Sequence, residues 1–282
     1  MNKNLLNYLI LIVFVIIIFI FIFIVIYYYK DKDNSSLSNN KIVKYNLPDY
    51  EIIENKSTDI KYYIFNTNDI ISNSIRITGG FSDNIQQYAI SLIKDKNKNI
   101  LDIGANLGTF TIPIAKYINS GIVYSFEVQK IIFIQLCSNI FLNKLTNVYP
   151  IHGLVCDKII NKFSNIILPD YKNNNNLGGY TVLDQKSDIN SIEEKVRNIV
   201  IDDLNINNIG LIKIDIEGSE IYALKGMENT LKNNNYPPII FECWNADFFK
   251  YKKIELFDYI TNKLNYNITL INNDDYVAIK NK

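Results

Sequence analysis

From residue 99 onward the chain is punctuated by short runs of apolar and β-branched residues, each followed by a stretch with helical spacing. NILDI (99–103) leads to a helical stretch near 109–118, IVYSFE (122–127) to one near 129–144, and LIKIDIE (211–217) to one near 219–232. PIIFEC (238–243) precedes helical spacing over 247–263, and NITLI and DYVAIK close the chain with no helix between them. Strands that alternate with helices are joined by crossovers, so this order predicts a mostly parallel sheet covered on both faces. The closing pair predicts an antiparallel hairpin at one edge. NVYPIHGLV (147–155) reads as a further strand, followed by a looser stretch that holds four asparagines at 173–176. Upstream, YEII, KYYIF and SIRIT (74–78) read as β-type runs that end at Gly79-Gly80, and residues 81–93 take up helical spacing.

A different pattern occupies the amino terminus. Residues 8–29 read YLILIVFVIIIFIFIFIVIYYY, 22 positions without a charge. As a helix they reach about 33 Å, enough for a hydrocarbon core of about 30 Å. The tyrosines at 27–29 fit an interfacial belt, and YYYKDKDN follows where a cleavable signal would need small residues. The expected organisation is an anchor at 1–30, a polar tether at 31–45 and one domain at 46–282. The lysine count favours placing that domain in the cytoplasm.

Composition removes several classes of function. Lysine plus arginine equal aspartate plus glutamate at 29 each, so no excess of positive charge drives binding to phosphodiesters, and no nucleic-acid partner is expected. His152 is the single histidine, and it sits inside a strand-like run, where packing is its expected role. Cys137, Cys156 and Cys243 are far apart, which excludes a disulfide framework or a structural zinc site.

Ligands bind outside the carboxyl ends of the strands in open α/β sheets. The first strand ends in Asp102-Ile103-Gly104-Ala105-Asn106-Leu107-Gly108, where two glycines let the chain turn and a ligand approach the backbone. Glu127 ends the next strand, 23 positions after Gly104, where a carboxylate accepts both hydroxyls of a ribose. A dinucleotide loop would need glycines where Asn106 and Thr109 stand, and no G-K-[ST] follows for a P-loop. Asp102 adds negative charge where a pyrophosphate would be repelled. A cofactor with a ribose, an adenine and a positive charge but no phosphate suits these residues, and S-adenosylmethionine has those properties.

NILDIGANLGTFTIPIAK (99–116), GIVYSFEVQKIIFIQLCSNIFLNKLTNV (121–148), LIKIDIEGSEIYALKGMENTL (211–231) and PPIIFECW (237–244) together resemble the FkbM family of S-adenosylmethionine-dependent methyltransferases. The resemblance covers roughly residues 60–280. It implies the class I methyltransferase fold, Rossmann-like, with a seven-stranded sheet whose last strand is antiparallel. It also implies methyl transfer to hydroxyl oxygens of sugars, glycans or related small molecules. By the same resemblance, Asp102, Gly104, Ala105, Asn106 and Gly108 would surround the methionine end of the cofactor and Glu127 the ribose. Phe126 and Val128 would lie near the adenine, and Asp157 would meet its amino group. Asp83 falls near the place of a family glutamate, so its role is open.

Lys213, Asp215 and Glu217 alternate along LIKIDIE and so share one face, with Glu220 in the first turn of the helix beyond. An acceptor hydroxyl must lose its proton as the methyl bond forms, which calls for a positioned base. Asp215, Glu217 and Glu220 are the expected catalytic carboxylates, Asp215 first among them and Glu242 an outside candidate. Asp215 and Glu217 also suit a divalent ion, although no metal site is assigned on sequence. Trp244, Phe248, Phe249 and Tyr251 are candidates for an acceptor pocket. The leading expectation is a membrane-anchored methyltransferase acting on a hydroxyl of a sugar, glycan or lipid-linked molecule. The alternatives are a non-catalytic anchored scaffold that keeps the fold, and an oxidoreductase, which the broken dinucleotide pattern disfavours.

Overall fold

In the computed structural model, residues 45–179, 181 and 192–281 are described. The apolar run at 8–29 and the tether as far as residue 44 lie outside them. Among the described residues no helix is long and apolar enough to cross a membrane.

The chain enters as a hairpin, β1 (Tyr50–Asn55) and β2 (Ile60–Phe65), followed by helices α1 (Ile70–Thr78) and α2 (Asp83–Leu92). Alternation then begins with β3 (Asn99–Ile103), α3 (Thr111–Tyr117), β4 (Val123–Glu127), α4 (Lys130–Leu142) and β5 (Val148–His152). A side sheet of β6 (Leu154–Val155), β7 (Phe163–Leu168) and β8 (Ile192–Ile199) interrupts it. The chain resumes with β9 (Ile209–Ile214), α5 (Glu220–Lys225), α6 (Glu228–Asn233), β10 (Ile239–Glu242) and α7 (Lys250–Asp258), and ends in β11 (Tyr266–Asn272) and β12 (Asp275–Lys280).

Seven strands form the main sheet in the order β11-β12-β10-β9-β3-β4-β5. Only β12 runs antiparallel to its neighbours. This is the mostly parallel sheet with a closing hairpin that the sequence predicts. Its central strands are buried on both sides. Leu101, Ile103, Ile212 and Ile214 join the core on one face, and Ile100, Leu211 and Ile240 join the core on the other. The register sets Asp102 beside Lys213, so this polar pair is enclosed on the same face as Ile100 and Leu211.

Several local readings change. SIRIT is the second half of α1 rather than a strand. Asp69 caps that helix by accepting the Ser72 amide at 3.0 Å, and Gly79 closes it in the left-handed conformation at φ 80°. Ile71 and Ile75, one turn apart, are buried on the same side, so caps and packing override the β preference of isoleucine. NVYPIHGLV divides at Gly153, after which β6 leaves the main sheet to pair with β8. The stretch after it is partly regular, because β7 and β8 form an antiparallel pair, while the asparagines at 173–176 lie in turns and irregular backbone after β7. The helix expected at 219–232 breaks between Lys225 and Glu228, where a side chain on Gly226 would stand 2.2 Å from the Cys156 carbonyl.

The hairpin is held to the body by amides. On α4, Asn139 is fully buried. Its Oδ1 accepts the Tyr63 amide at 2.5 Å, and its Nδ2 donates to the carbonyls of Tyr63 at 3.2 Å and Leu107 at 2.8 Å. Asn143, one turn further, pairs in the same way with Lys61 at 2.9 and 2.6 Å. Each backbone group left unsatisfied by removing such a partner costs about 1–3 kcal/mol. Asn139→Leu is therefore expected to lower the urea unfolding midpoint clearly, and Asn143→Leu, at a partly exposed position, by less. Equal midpoints for both variants and the wild type would contradict this account of the hairpin.

Candidate active site

The order of strands reverses beside β3, since β4 and β5 lie to one side of it and β9 and β10 to the other. Crevices at such a switch point receive ligands. A cavity of about 240 Å³ opens there. Gly104, Ala105, Asn106, Phe126 and Glu127 line one part of it, and Lys213, Asp215, Glu217, Glu242 and Trp244 line another.

The loop after β3 is shaped by what it must pass. Gly104 has φ 86°, and a Cβ on it would fall 1.8 Å from the Asp215 carbonyl oxygen. The amides of Gly104 and Ala105 both donate to the Phe126 carbonyl, at 3.0 and 2.8 Å. Gly108, at φ 101°, would press a Cβ against Leu136 at 2.9 Å. Glu127 closes the loop from β4, accepting the Asn106 amide at 3.0 Å and the Gln129 amide at 2.8 Å. Burial pushes its carboxyl up to about 7, although these backbone donors favour the ionised form.

Beneath the loop, Asp102 is fully buried. Thr111 donates to its Oδ2 at 2.5 Å, and the Lys213 ammonium stands 3.7 Å from its Oδ1. The same ammonium is 3.0 Å from Asp215 Oδ2. Burial alone would push Lys213 down, but Asp215 and Asp102 outweigh it and hold the ammonium above the ordinary lysine range. Asp215, Glu217 and Glu242 each bring a carboxylate oxygen within 4.8 Å of the others, and Trp244 Nε1 donates to Glu242 Oε2 at 2.9 Å. Burial, then repulsion from Asp215, pushes Glu217 up to about 9 and Glu242 to about 10.

Not every residue singled out by sequence faces the cavity. Asp102 and Gly108 lie outside its wall, shaping the loop from behind. Asp157 is also outside, because the Cys156 amide bonds the Ile199 carbonyl at 2.9 Å and carries the chain into the side sheet. Glu220 does not line this cavity; its Oε1 accepts the amides of Ile216 at 3.2 Å and Gly218 at 3.0 Å and so holds the acidic loop. Asp83 is exposed and Phe81 from the same segment lines the wall in its place. His152 packs as expected, stacked on Phe133 with Nε2 3.0 Å from the Val128 carbonyl. Trp244 lines the cavity, Phe249 packs near it in a tilted arrangement at 5.6 Å between centroids, and Tyr251 is exposed. The side chain of Phe248 lies outside the described residues.

Wall residues that the sequence reading passed over include Gln129, whose buried amide donates to the Leu177 carbonyl at 3.1 Å, and Asn176, Gly178 and Gly179 of the asparagine-rich stretch. No periodicity marks them, and the glycine pair was the one local signal. Because Gly104 combines a positive φ with an overlap onto backbone, Gly104→Ala is expected to destabilise the fold by about 1–3 kcal/mol from conformational strain, and by more from the collision. A thermal melt of this variant indistinguishable from wild type would show that the loop does not cross β9 so closely.

The sequence pattern of the Methyltransferase FkbM domain family matches residues 102–268. A curated relative, the tRNA(Phe) (4-demethylwyosine(37)-C(7)) aminocarboxypropyltransferase of Methanocaldococcus jannaschii, is 44% identical over 66 residues, 23% of this chain and 26% of that protein. The match thus spans about a quarter of that relative's length. Among solved structures, the FkbM methyltransferase of Methylobacillus flagellatus superposes with a TM-score of 0.44 at 16% identity, covering 68% of this chain and 50% of that one. M. jannaschii TYW2 in complex with AdoMet superposes at 0.38 and 16% identity, covering 84% and 86%. With the family pattern covering more than half of its length, the chain belongs to the FkbM methyltransferase domain family.

Proposed function

We propose that the protein methylates a hydroxyl oxygen of a sugar, glycan or lipid-linked small molecule. The observation that carries this reading is the convergence of Asp215, Glu217 and Glu242 in the same cavity as the glycine loop and Glu127. Across the sheet edge, β4 and β10 are three strand spacings apart, about 14 Å. A cofactor whose ribose rests on Glu127 therefore directs its sulfonium over the β3 loop, and the acceptor occupies the acidic side. Gly104, Ala105 and Asn106 offer backbone to the methionine end, and Phe126 flanks the adenine. Asp102 and Glu220 act as positioning residues, the first through Lys213 and Thr111, the second through the backbone at 216–218.

The reaction is an in-line displacement. The acceptor O–H bond breaks, the O–CH3 bond forms and the S–CH3 bond breaks, leaving a neutral thioether and one proton. Alignment of oxygen, carbon and sulfur supplies much of the rate. Asp215 is the base that takes up the proton, with the ammonium of Lys213 holding its carboxylate in place. Anchoring through residues 8–29, with the domain on the cytoplasmic face, would concentrate the enzyme beside membrane-borne acceptors. That part of the proposal rests on the apolar run and the lysine count.

The 44% match to a tRNA-modifying enzyme motivates a second reading, in which the acceptor is a hydroxyl or base of RNA. Equal numbers of basic and acidic residues give no excess of positive charge to hold phosphodiesters, which favours the first reading. Incubating the full chain with S-adenosylmethionine labelled in its methyl group, then separating glycan, lipid and RNA fractions, distinguishes them. Label in the RNA fraction alone, removed by ribonuclease, would replace the first reading with the second.

Cofactor binding has a pH signature. Glu127 in the folded protein titrates near 7 against its ordinary 4.5. Its contribution to stability is full below the unfolded value and is lost as pH rises through 7. Ribose hydroxyls donate to the ionised carboxylate, so affinity for S-adenosylhomocysteine is expected to rise from about pH 6 to about pH 8 and then level. Calorimetric titration of the full chain should show this slope, while Glu127→Gln should bind more weakly with no slope. A pH-independent affinity in the wild type would remove Glu127 from the ribose site.

A further inference from the structure

We propose that residues 173–179 form a strap over the nucleoside half of the cofactor, with Gln129 and Asp69 as the positioning residues that latch it. That role rests on the cofactor reading above. Asn176, Gly178 and Gly179 belong to the cavity wall, and Leu177 between them is tied to Gln129, two residues past Glu127.

Irregular backbone ordinarily stays at the surface, because its amides and carbonyls need partners. Leu177 departs from this. It is 3% exposed, packed with Phe65, Ile131, Ile132 and Tyr171, and side chains serve its peptide groups. Its amide donates to Asp69 Oδ1 at 2.9 Å, and its carbonyl accepts from Gln129 Nε2 at 3.1 Å. Asp69 and Gln129 are themselves buried, and each stands just ahead of a helix. Asp69 caps α1 through its other oxygen, and Gln129 precedes α4. Ile70 adds a bond from its amide to the Asn175 carbonyl at 2.9 Å. The strap therefore joins the heads of α1 and α4, both of which contribute to the cavity wall. The asparagine run supplies its internal bonds. Asn174 Oδ1 accepts the Asn176 amide at 2.8 Å, and Asn176 Oδ1 accepts the Gly179 amide at 2.9 Å. A Cβ on Gly178 would stand 2.9 Å from Ile71 and 3.0 Å from the Asn106 side chain, so the strap reaches the glycine loop as well.

Gln129 serves the two sides of this arrangement with different atoms. Its backbone amide donates to Glu127 Oε1 at 2.8 Å, and its side chain holds Leu177. A ligand whose ribose rests on Glu127 thus lies beside the residue that latches the strap. Burial of an aspartate and a glutamine opposes folding unless both are bonded, and here both bond one residue of an irregular segment. Such a hold suits a wall that stays closed over a ligand. Release of the cofactor requires the strap to lift, so the bonds to Leu177 set its rate.

Binding of S-adenosylhomocysteine and of adenosine to the full chain tests the strap without any acceptor. Amide hydrogen exchange, read by mass spectrometry, is expected to slow at 173–179 when either ligand binds. Gln129→Met removes the side-chain donor and leaves the backbone bond to Glu127 in place. In this variant exchange at 173–179 should speed up, while exchange in the main sheet matches wild type, which a general loss of stability would not allow. Stopped-flow release of S-adenosylhomocysteine should quicken by about fivefold, the effect of one hydrogen bond, and affinity for adenosine should fall by a similar factor. If Gln129→Met does not fold, Gly178→Val, which crowds Ile71 and Asn106, is expected to quicken release in the same way. Wild type that binds S-adenosylhomocysteine with no change of exchange at 173–179 would overturn the strap, as would release that neither variant quickens. Wild type that binds neither ligand would overturn the cofactor reading and the strap together.

Discussion

The carboxyl edge of the sheet is organised by a crossing too close for any side chain. Gly104 passes the carbonyl of Asp215 where a Cβ would sit 1.8 Å away, and the Asp215 amide in turn bonds the Ile103 carbonyl at 2.9 Å. That contact ties the loop after β3 to the end of β9. It fixes the height of the loop over the sheet, and so decides where Asn106 meets Glu127. It also fixes where β9 stops, so that Asp215 leaves the strand toward the cavity. The Glu127 side and the Asp215 side of the cavity are thus set by one contact.

Charge is distributed unevenly around that contact. Asp102, Asp215, Glu217 and Glu242 gather near one ammonium, Lys213. A fold has no use for so many carboxylates in a half-buried wall, because desolvation opposes each of them. Removing one partner of such a set is costly, whereas replacing all of them by apolar residues is often neutral. Their presence together therefore points to chemistry at this edge rather than to stability. Glu220 shows the contrasting case, a buried carboxylate whose oxygen is used by the backbone at 216 and 218.

Much of this was legible in the sequence. The strands NILDI, IVYSFE and PIIFEC fall where their apolar runs placed them, and the closing hairpin was announced by two strands without a helix between. Asn106 and Glu127 meet because an acid at the end of the second strand must face the glycine loop. Other features depend on contacts that no local pattern reports. SIRIT has β-type residues, yet Asp69 and Gly79 cap it as a helix. Asp157 lies outside the cavity wall because the chain leaves the main sheet after Gly153, where β6 pairs with β8. Glu220 sits at the right distance in sequence from Asp215, and only the fold shows its side chain turning back. Glu242 and Trp244 reach the cavity because β10 lies beside β9, a neighbour relation that spacing alone does not encode.

The two asparagines of α4 have an effect beyond holding the hairpin. A two-stranded sheet normally leaves an unpaired row of amides and carbonyls on each side, and such rows recruit strands from other molecules. Here Asn139 and Asn143 occupy the hydrogen-bonding groups of Tyr63 and Lys61 along β2, in place of a third strand. A helix thus terminates a sheet through its side chains, and the hairpin is closed to intermolecular pairing along that edge without a proline.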